Sequence, residues 1–260
     1  MKTKQPLPFA EPVITDADKK KMEEVKRSVS RVEVISELGQ IKRLDPVYNQ
    51  RRQFIKTIPK FWPTALFRHA GLAMDLKIEE DIKALQYITD IWVERNPVEP
   101  RVYTIQFTFS KNPYFEDKVL QKVYRCNEKP GSRNEPADKE GFKWSMLDFD
   151  WDRDVKALAS SIHWKPRKNL CQQYPKEVDE DGDVMELGSF FNWFESDGDA
   201  FDIGLLISDE IFPDAINYFN GEVDDDDDND NDDSEGEDSE EDGNKGKDDE
   251  DDDDEDAIAL

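Results

Sequence analysis

The chain of 260 residues carries a formal net charge of −27, from 62 aspartates and glutamates against 35 lysines and arginines, and it has only two cysteines. This length allows one domain with a full hydrophobic core. The two cysteines exclude a fold stapled by several disulfides and fit a reducing cytoplasm or nucleus. No apolar run approaches the ~20 residues of a membrane span, so we expect no membrane partner.

The N-terminal part is predicted to be an arm followed by one long helix. Residues 1–15 are rich in proline and polar side chains, which favours an extended, flexible arm. From Asp16 onwards, apolar residues recur in steps of three or four, the pattern of an amphipathic helix, and we predict this helix over residues 16–58. Thr15 or Asp16 can cap its start. Pro46 predicts a kink in its second half.

The apolar side of this helix is narrow, which suits pairing with a second helix. The same pattern also fits packing on the chain's own domain, and the pattern alone leaves these two interpretations open. Under the first interpretation, the contact residues of a dimer are Val25, Val29, Val32, Ile35, Leu38, Ile41, Leu44, Tyr48 and Ile55.

The segment 59–221 is predicted to be an α+β domain. Its predicted elements are helices over 64–75 and 78–86, strands over 87–94, 101–110, 119–126 and 142–147, and helices over 186–194 and 202–219. In 101–110, apolar and polar residues alternate as in a half-buried strand. The four strands would form an antiparallel sheet. Residues 148–186 show no clear pattern beyond a short acidic run at 179–183.

The residue types that usually carry chemistry are scattered. His69, His163, Cys126 and Cys171 have no spacing that zinc or iron would require. The acids near residue 200 lack the full pattern of a calcium loop. No glycine-rich phosphate loop and no nucleophile elbow are present in the sequence. We therefore predict no metal, no cofactor and no enzymatic activity.

The C-terminal segment 222–260 holds 24 acidic side chains against two lysines, a net charge of −22, which leaves −5 for the rest of the chain. It cannot bury enough apolar surface to offset the entropy of ordering, so we predict a disordered acidic tail. Such a tail attracts cationic partners and repels phosphates, which argues against specific nucleic-acid binding. Taken alone, it is also compatible with a tail that only promotes solubility.

Three motifs in the domain resemble the nucleosome assembly protein family, and in particular its SET-like branch. The first is Ile-Pro-Lys-Phe-Trp at 58–62, the second is Asn-Pro-Tyr-Phe-Glu-Asp-Lys-Val-Leu at 112–120, and the third is Ser-Phe-Phe-Asn-Trp-Phe at 189–194. They occur in the family's order, and the resemblance covers roughly residues 44–221. Residues 127–187 match the family poorly, and the part before residue 44 matches by pattern alone.

The resemblance implies an earmuff-like domain, a homodimer held by antiparallel long helices, and a nuclear protein that shuttles to the cytoplasm. It implies an ATP-independent histone chaperone that binds core histones, shields their positive charge and promotes nucleosome assembly or disassembly. The alternative among SET-like relatives is a phosphatase inhibitor or a cofactor of a histone-modifying enzyme. We hypothesise histone contacts at Glu195, Asp197, Asp199, Asp202, Asp209, Glu210 and Asp214, and in the tail at Asp224, Asp225, Asp226, Asp227 and Asp228.

Overall fold

The computed structural model describes residues 8–10, 12–127, 134–139 and 141–223. Its longest element is helix α1, Asp16–Ile55, with 40 residues. Thr15 caps the helix as predicted: its hydroxyl accepts the N–H of Asp18 at 3.2 Å, and the Asp18 carboxylate accepts the N–H of Thr15 at 3.2 Å. This reciprocal pair satisfies two backbone donors that a helix start leaves open.

α1 continues through Pro46, which lies inside it. The helix is therefore not interrupted at the proline, although proline leaves one carbonyl of the preceding turn without its hydrogen bond. The helix ends at Ile55, earlier than the predicted end at residue 58. One tight turn follows, in which the N–H groups of Thr57 and Ile58 donate to the carbonyls of Phe54 and Ile55.

Three short helices connect α1 to the sheet: α2, Phe61–Phe67, α3, Ala70–Ala73, and α4, Glu79–Leu85. The predicted helix over 64–75 is divided in two, because the His69 ring accepts the N–H of Leu72 at 3.1 Å and so caps a new helix. α4 lies within its predicted range.

A four-stranded antiparallel sheet in the order β1-β2-β3-β4 forms the centre of the domain, as predicted. Its strands are β1, Ile88–Arg95, β2, Tyr103–Phe109, β3, Val119–Cys126, and β4, Val155–Leu158. Phe107 of β2 lies opposite Ile91 of β1 and Leu120 of β3.

The fourth strand was predicted in the wrong place. Residues 142–147 do not join the sheet, since they contain helix α5, Trp144–Leu147, which packs against α1. The strand that pairs with β3 is β4, in which Lys156 lies opposite Arg125. Alternating apolar residues at 142, 144 and 146 resemble a strand, but the rings of Phe142 and Trp144 lie against arginines of the long helix.

The C-terminal half is built from short pieces. They are α6, Trp151–Asp154, α7, Leu170–Gln173, a hairpin of β5, Glu177–Val178, and β6, Val184–Glu186, then α8, Asn192–Glu195, α9, Ile203–Leu205, a π-helix, Leu206–Ile211, and α10, Ala215–Asn220. The predicted helix over 186–194 begins only at Asn192, because Gly188 takes a φ of +64° and an added Cβ would overlap Pro175 O. The helix predicted over 202–219 is divided into three.

The core lies between one face of the sheet and the aromatic third motif. The ring of Phe107 lies 6.2 Å from Phe190, 6.1 Å from Trp193 and 5.4 Å from Phe194, measured between centroids. Trp62 and the aromatic residues of the motif at 189–194 are almost fully buried. These motif residues therefore form the core and do not offer contacts to a partner.

Asp81 of α4 is a carboxyl group buried in this core. The Ser189 hydroxyl donates to Asp81 Oδ1 at 2.6 Å, and the Phe190 N–H donates to Oδ2 at 2.7 Å. Burial raises the pKa of Asp81 to about 6, although both hydrogen bonds favour the ionised form. A folded pKa above the ordinary value means that the stability this group contributes is fully present below pH ~4 and is lost as pH rises through about 6.

We expect the advantage of the natural protein over Asp81→Asn to shrink by about 1 kcal/mol between pH 5 and pH 8, because only the natural protein has to ionise this buried group. Urea unfolding of both proteins at several pH values measures the difference in free energy of unfolding. The matched control is Asp183→Asn, an exposed position. Parallel pH curves for the natural protein and Asp81→Asn would contradict the prediction.

Candidate functional site

An exposed apolar stripe follows the N-terminal half of α1. Met22, Val25, Val29 and Val32 are spaced by three and four residues and are each more than half exposed, and Ile35 is 39% exposed. This spacing places them on one side of the helix, as in the seam of a coiled coil. A contiguous apolar surface of this kind marks an interaction site more often than a free surface.

The other predicted dimer residues face a different direction. Leu38, Ile41 and Leu44 are partly buried, Ile41 and Leu44 beside the domain, and the Tyr48 ring lies 5.1 Å from Phe212 in an edge-on contact. Ile55 is 2% exposed and belongs to the core of its own domain. The predicted dimer surface is therefore corrected: Ile55 is not available to a second chain, and Tyr48 is held by the segment that follows the π-helix.

Two arginines fix α1 to the domain. The Arg51 guanidinium lies 4.5 Å above the Tyr48 ring and 4.6 Å from the Phe212 ring centre, and it donates to Pro213 O at 2.9 Å. Burial lowers the pKa of Arg51 to about 10. Arg52 donates to the buried carboxylate of Asp90 at 2.6 Å. These contacts hold α1 in a defined orientation to the sheet.

A second attachment lies near the N-terminal half of α1, where the segment before β4 reaches the helix. The Arg27 guanidinium stacks 3.4 Å above the Trp144 ring, and Arg31 Nε donates to Asp138 Oδ2 at 2.9 Å. Sequence analysis missed this contact, because the alternating apolar residues at 142, 144 and 146 were assigned to a strand of the sheet. Its effect is to cover one side of α1 and leave the stripe on the other side exposed.

Among the predicted acids, Glu195 and Asp199 serve internal contacts. Glu195 Oε1 accepts the N–H of Ile162 at 3.1 Å and the ring N–H of Trp164 at 3.2 Å. The Asp199 carboxylate is mostly buried, which raises its pKa. These two acids therefore stabilise the domain more than they offer charge to a partner.

Asp199 is the centre of a hydrogen-bonded cluster. It accepts the Tyr124 hydroxyl at 2.5 Å and the N–H groups of Gly204 at 2.7 Å and Ile203 at 3.1 Å. Gly204 is required here, since an added Cβ would overlap the Tyr124 hydroxyl. Lys122 lies close by and fully buried, with its ammonium donating to Trp193 O at 2.7 Å, and burial lowers its pKa to about 8.

The remaining predicted acids of the domain are exposed: Asp197, Asp202, Asp209, Glu210 and Asp214. Asp209 pairs with Arg95, and the Glu210 carboxylate accepts the His69 ring N–H at 2.9 Å. His69 carries its proton on this nitrogen because the other ring nitrogen accepts the N–H of Leu72. The predicted tail and its acids, Asp224, Asp225, Asp226, Asp227 and Asp228, lie outside the described residues.

The hairpin of β5 and β6 is a charged surface that sequence reasoning did not assign to a partner. The exposed carboxylates on it are Glu177, Asp179, Glu180, Asp181, Asp183 and Glu186. Val178 and Met185, at 53% and 62% exposure, add apolar surface beside them. The acidic run at 179–183 was visible in the sequence. Its place on a short hairpin depends on the pairing of Val178 with Val184.

Histidine, cysteine and acidic side chains do not form a cluster suited to metal binding in the part of the chain that the structure describes. No set of three histidine, cysteine or acidic side chains there could hold a metal ion. None of the described helices is both long and apolar enough to cross a membrane. The prominent features are instead two surfaces, the stripe on α1 and the exposed acids.

Sequence comparisons place the chain among known proteins. Residues 10–222 match the family model for nucleosome assembly protein (NAP). NAP1-related protein 2 of Oryza sativa subsp. indica is 32% identical over 201 residues, covering 75% of this chain and 69% of that protein. NAP1-related protein 1 of the same organism is 30% identical over 187 residues, or 69% of this chain, and the match spans only 63% of that relative's length. Protein SET of Drosophila melanogaster is 29% identical over 181 residues, covering 67% and 60%.

Solved structures show the same fold. A crystal structure of a Ccp1 mutant matches with a TM-score of 0.60 and 24% identity, covering 78% of this chain and 93% of that one. The crystal structure of Vps75 matches with a TM-score of 0.55 and 20% identity, covering 80% and 98%. These similarities support the arrangement of the long helix and the sheet domain.

Proposed function

Because the chain belongs to the nucleosome assembly protein family, we propose that it is an ATP-independent histone chaperone that binds core histones and shields their positive charge. The observation that carries the proposal is the set of exposed carboxylates on the ordered domain. The five exposed carboxylates between residues 197 and 214 and the six on the β5–β6 hairpin have fixed positions. A basic partner would therefore find a surface with defined geometry as well as charge.

The proposed mechanism is competition with DNA phosphates for histone lysines and arginines. Carboxylates on the domain would select and orient the histone surface. The acidic segment 222–260, with its net charge of −22, would raise the encounter rate and the local concentration of counter-charge. No bond is made or broken in this scheme, so it requires no cofactor and no catalytic residue. Release would follow when DNA or another chaperone offers a stronger site.

We propose further that the protein is a homodimer joined through Met22, Val25, Val29, Val32 and Ile35 of two antiparallel α1 helices. Burying this stripe would remove exposed apolar surface from water, a favourable change. The dimer would present two sets of domain carboxylates to one histone pair. A role in nucleosome assembly or disassembly places the proposed site of action in the nucleus, with passage through the cytoplasm.

The test is a titration of each of the two purified core-histone pairs against three proteins. These are the full chain, a truncated chain of residues 1–223, and the truncated chain with Asp197→Asn, Asp202→Asn, Glu210→Gln and Asp214→Asn. We expect truncation to weaken binding about tenfold and reduce its salt dependence, because long-range attraction is screened by salt. The fourfold change should weaken it about tenfold again.

A matched control neutralises four exposed acids elsewhere in the truncated chain: Glu24→Gln, Glu79→Gln, Glu116→Gln and Asp152→Asn. We expect it to bind histones as the truncated chain does. Loss of all histone binding on truncation would refute a site on the domain. Recovery from nuclear extract of a phosphatase or a histone-modifying enzyme without histones would support the alternative function instead.

A further inference from the structure

A groove of about 630 Å³ lies between α1 and the domain. Its apolar floor is formed by Ile41, Leu44 and Tyr48 of α1, Trp92 of β1 and Phe212 beyond the π-helix. It follows α1 from position 37 to position 48, a length of about 16 Å at 1.5 Å per residue. An open groove of this length with an apolar floor, whose lining also includes the charged residues Glu37, Asp45 and Arg95, is suited to an extended peptide segment.

The arm before α1 carries apolar side chains that its own chain leaves in water. Phe9 is 65% exposed, Val13 98% and Ile14 39%. These side chains would gain free energy from burial in an apolar groove. The prolines at positions 8 and 12 favour the extended backbone that such a groove accepts.

The arm cannot reach the groove of its own chain. From Asp16, where α1 begins, to Leu44 in the middle of the groove, the helix spans about 42 Å. The seven residue steps from Phe9 to Asp16 cover at most about 25 Å when fully extended. Only the groove of a second copy is therefore within reach.

The proposed pairing of two α1 helices brings this second groove close. An antiparallel contact centred on the exposed stripe sets Val25 opposite Val32 and Met22 opposite Ile35. The same register, continued along the helices, sets Asp16 of one copy opposite Ile41 of the other. The arm then leaves its helix at the groove, with enough length to turn around the flank of α1 and run along the floor.

We propose that the N-terminal arm of each protomer docks in the groove of its partner, with Val13 and Ile14 at the edge of the groove and Phe9 covering Leu44 and Trp92. This inference rests on the proposed dimer and adds to it a second contact outside the α1 stripe. The groove occupant is a segment of a second copy of this chain. The exchange of arms would lock the register of the two helices, which a short stripe of valines specifies only weakly.

A disulfide tests the contact. In a chain with Cys126→Ser and Cys171→Ser, we introduce Val13→Cys in the arm and Gln40→Cys at the exposed edge of the groove. On mild oxidation, most of this protein should become a covalent dimer on a denaturing gel. The matched control pairs Val13→Cys with Met74→Cys, an exposed position that does not line the groove, and should stay monomeric on the same gel.

Native mass spectrometry of the same samples separates the possible failures. A non-covalent dimer that forms no 13–40 disulfide would overturn the arm contact and leave the dimer intact. A monomer would overturn both the dimer and the arm contact, while histone binding would still report separately on the chaperone proposal.

Deletion of residues 1–14 provides a second measurement without cysteines. We expect this deletion to raise the dissociation constant of the dimer at least about tenfold, because three apolar side chains that the dimer buries would be lost. Deletion of residues 1–7 is the control and should leave the constant unchanged, because it keeps Phe9, Val13 and Ile14. Equal dissociation constants for both deletions and the full chain would overturn the proposal.

Discussion

Val29→Asp combined with Val32→Asp is expected to convert the proposed dimer into a monomer. Both valines lie in the middle of the exposed stripe on α1, at 52% and 64% exposure. The two-fold symmetry of an antiparallel pair would bring four carboxylates into one apolar seam. Burying a charge without a partner costs several kcal/mol, so the dimer should dissociate at micromolar concentration. Light scattering coupled to size exclusion measures the mass directly.

The change should leave each protomer folded, because neither side chain contributes to the core. The matched control, Lys20→Asp with Lys42→Asp, places the same residue on α1 at exposed positions outside the stripe and should remain dimeric. A double-aspartate protein that keeps its dimeric mass would show that α1 pairs through another surface or that the dimer has another origin. If the double-aspartate protein is a monomer, histone titration with it measures whether one domain suffices for binding.

Asp199→Ala is expected to lower the free energy of unfolding by about 3 kcal/mol, because the change removes an acceptor shared by three donors. These donors are the Tyr124 hydroxyl and the N–H groups of Ile203 and Gly204. A buried donor left without a partner costs about 1–3 kcal/mol, and part of this loss is offset because a mostly buried carboxylate no longer has to ionise. Denaturant unfolding at neutral pH measures the difference.

Asp197→Ala is the matched control, since Asp197 is exposed and accepts the N–H of Ala159 at 2.9 Å. It should cost less than about 1 kcal/mol. Equal stability losses for the two variants would contradict the internal role of Asp199. A histone-binding defect in Asp199→Ala should appear only under conditions in which the domain unfolds, whereas neutralising the exposed acids should weaken binding to a stable protein.

The internal contacts of Asp199 and Glu195 show that the sequence alone does not predict which acidic side chains are available to a partner. The domain acids proposed for histone binding all lie between residues 195 and 214, and nothing local distinguishes them. Tyr124, which occupies one side of the Asp199 carboxylate, is 75 positions away in the chain. Trp164 and Ile162 approach Glu195 from a loop whose course has no periodic pattern.

Sequence reasoning was sufficient for the fold class, the long helix and its cap, the central antiparallel sheet, the family and the division of charge. These follow from local repeats, from motifs within single segments and from composition, none of which requires knowledge of distant contacts. The fourth strand was misplaced because the apolar residues at 142, 144 and 146 alternate as in a strand, whereas Phe142 and Trp144 pack on arginines of α1.

Only the packing of the folded domain determines which apolar residues of α1 are open to a second chain. Residues that pack on the chain's own domain and residues that could pair with a partner helix recur at the same spacing of three and four, so periodicity cannot separate them. The separation is made by Trp144, Trp92 and Phe212, which approach α1 from three distant segments. Trp144 stacks on Arg27, and the other two rings line the groove beside Tyr48, so that the stripe from Met22 to Ile35 stays exposed.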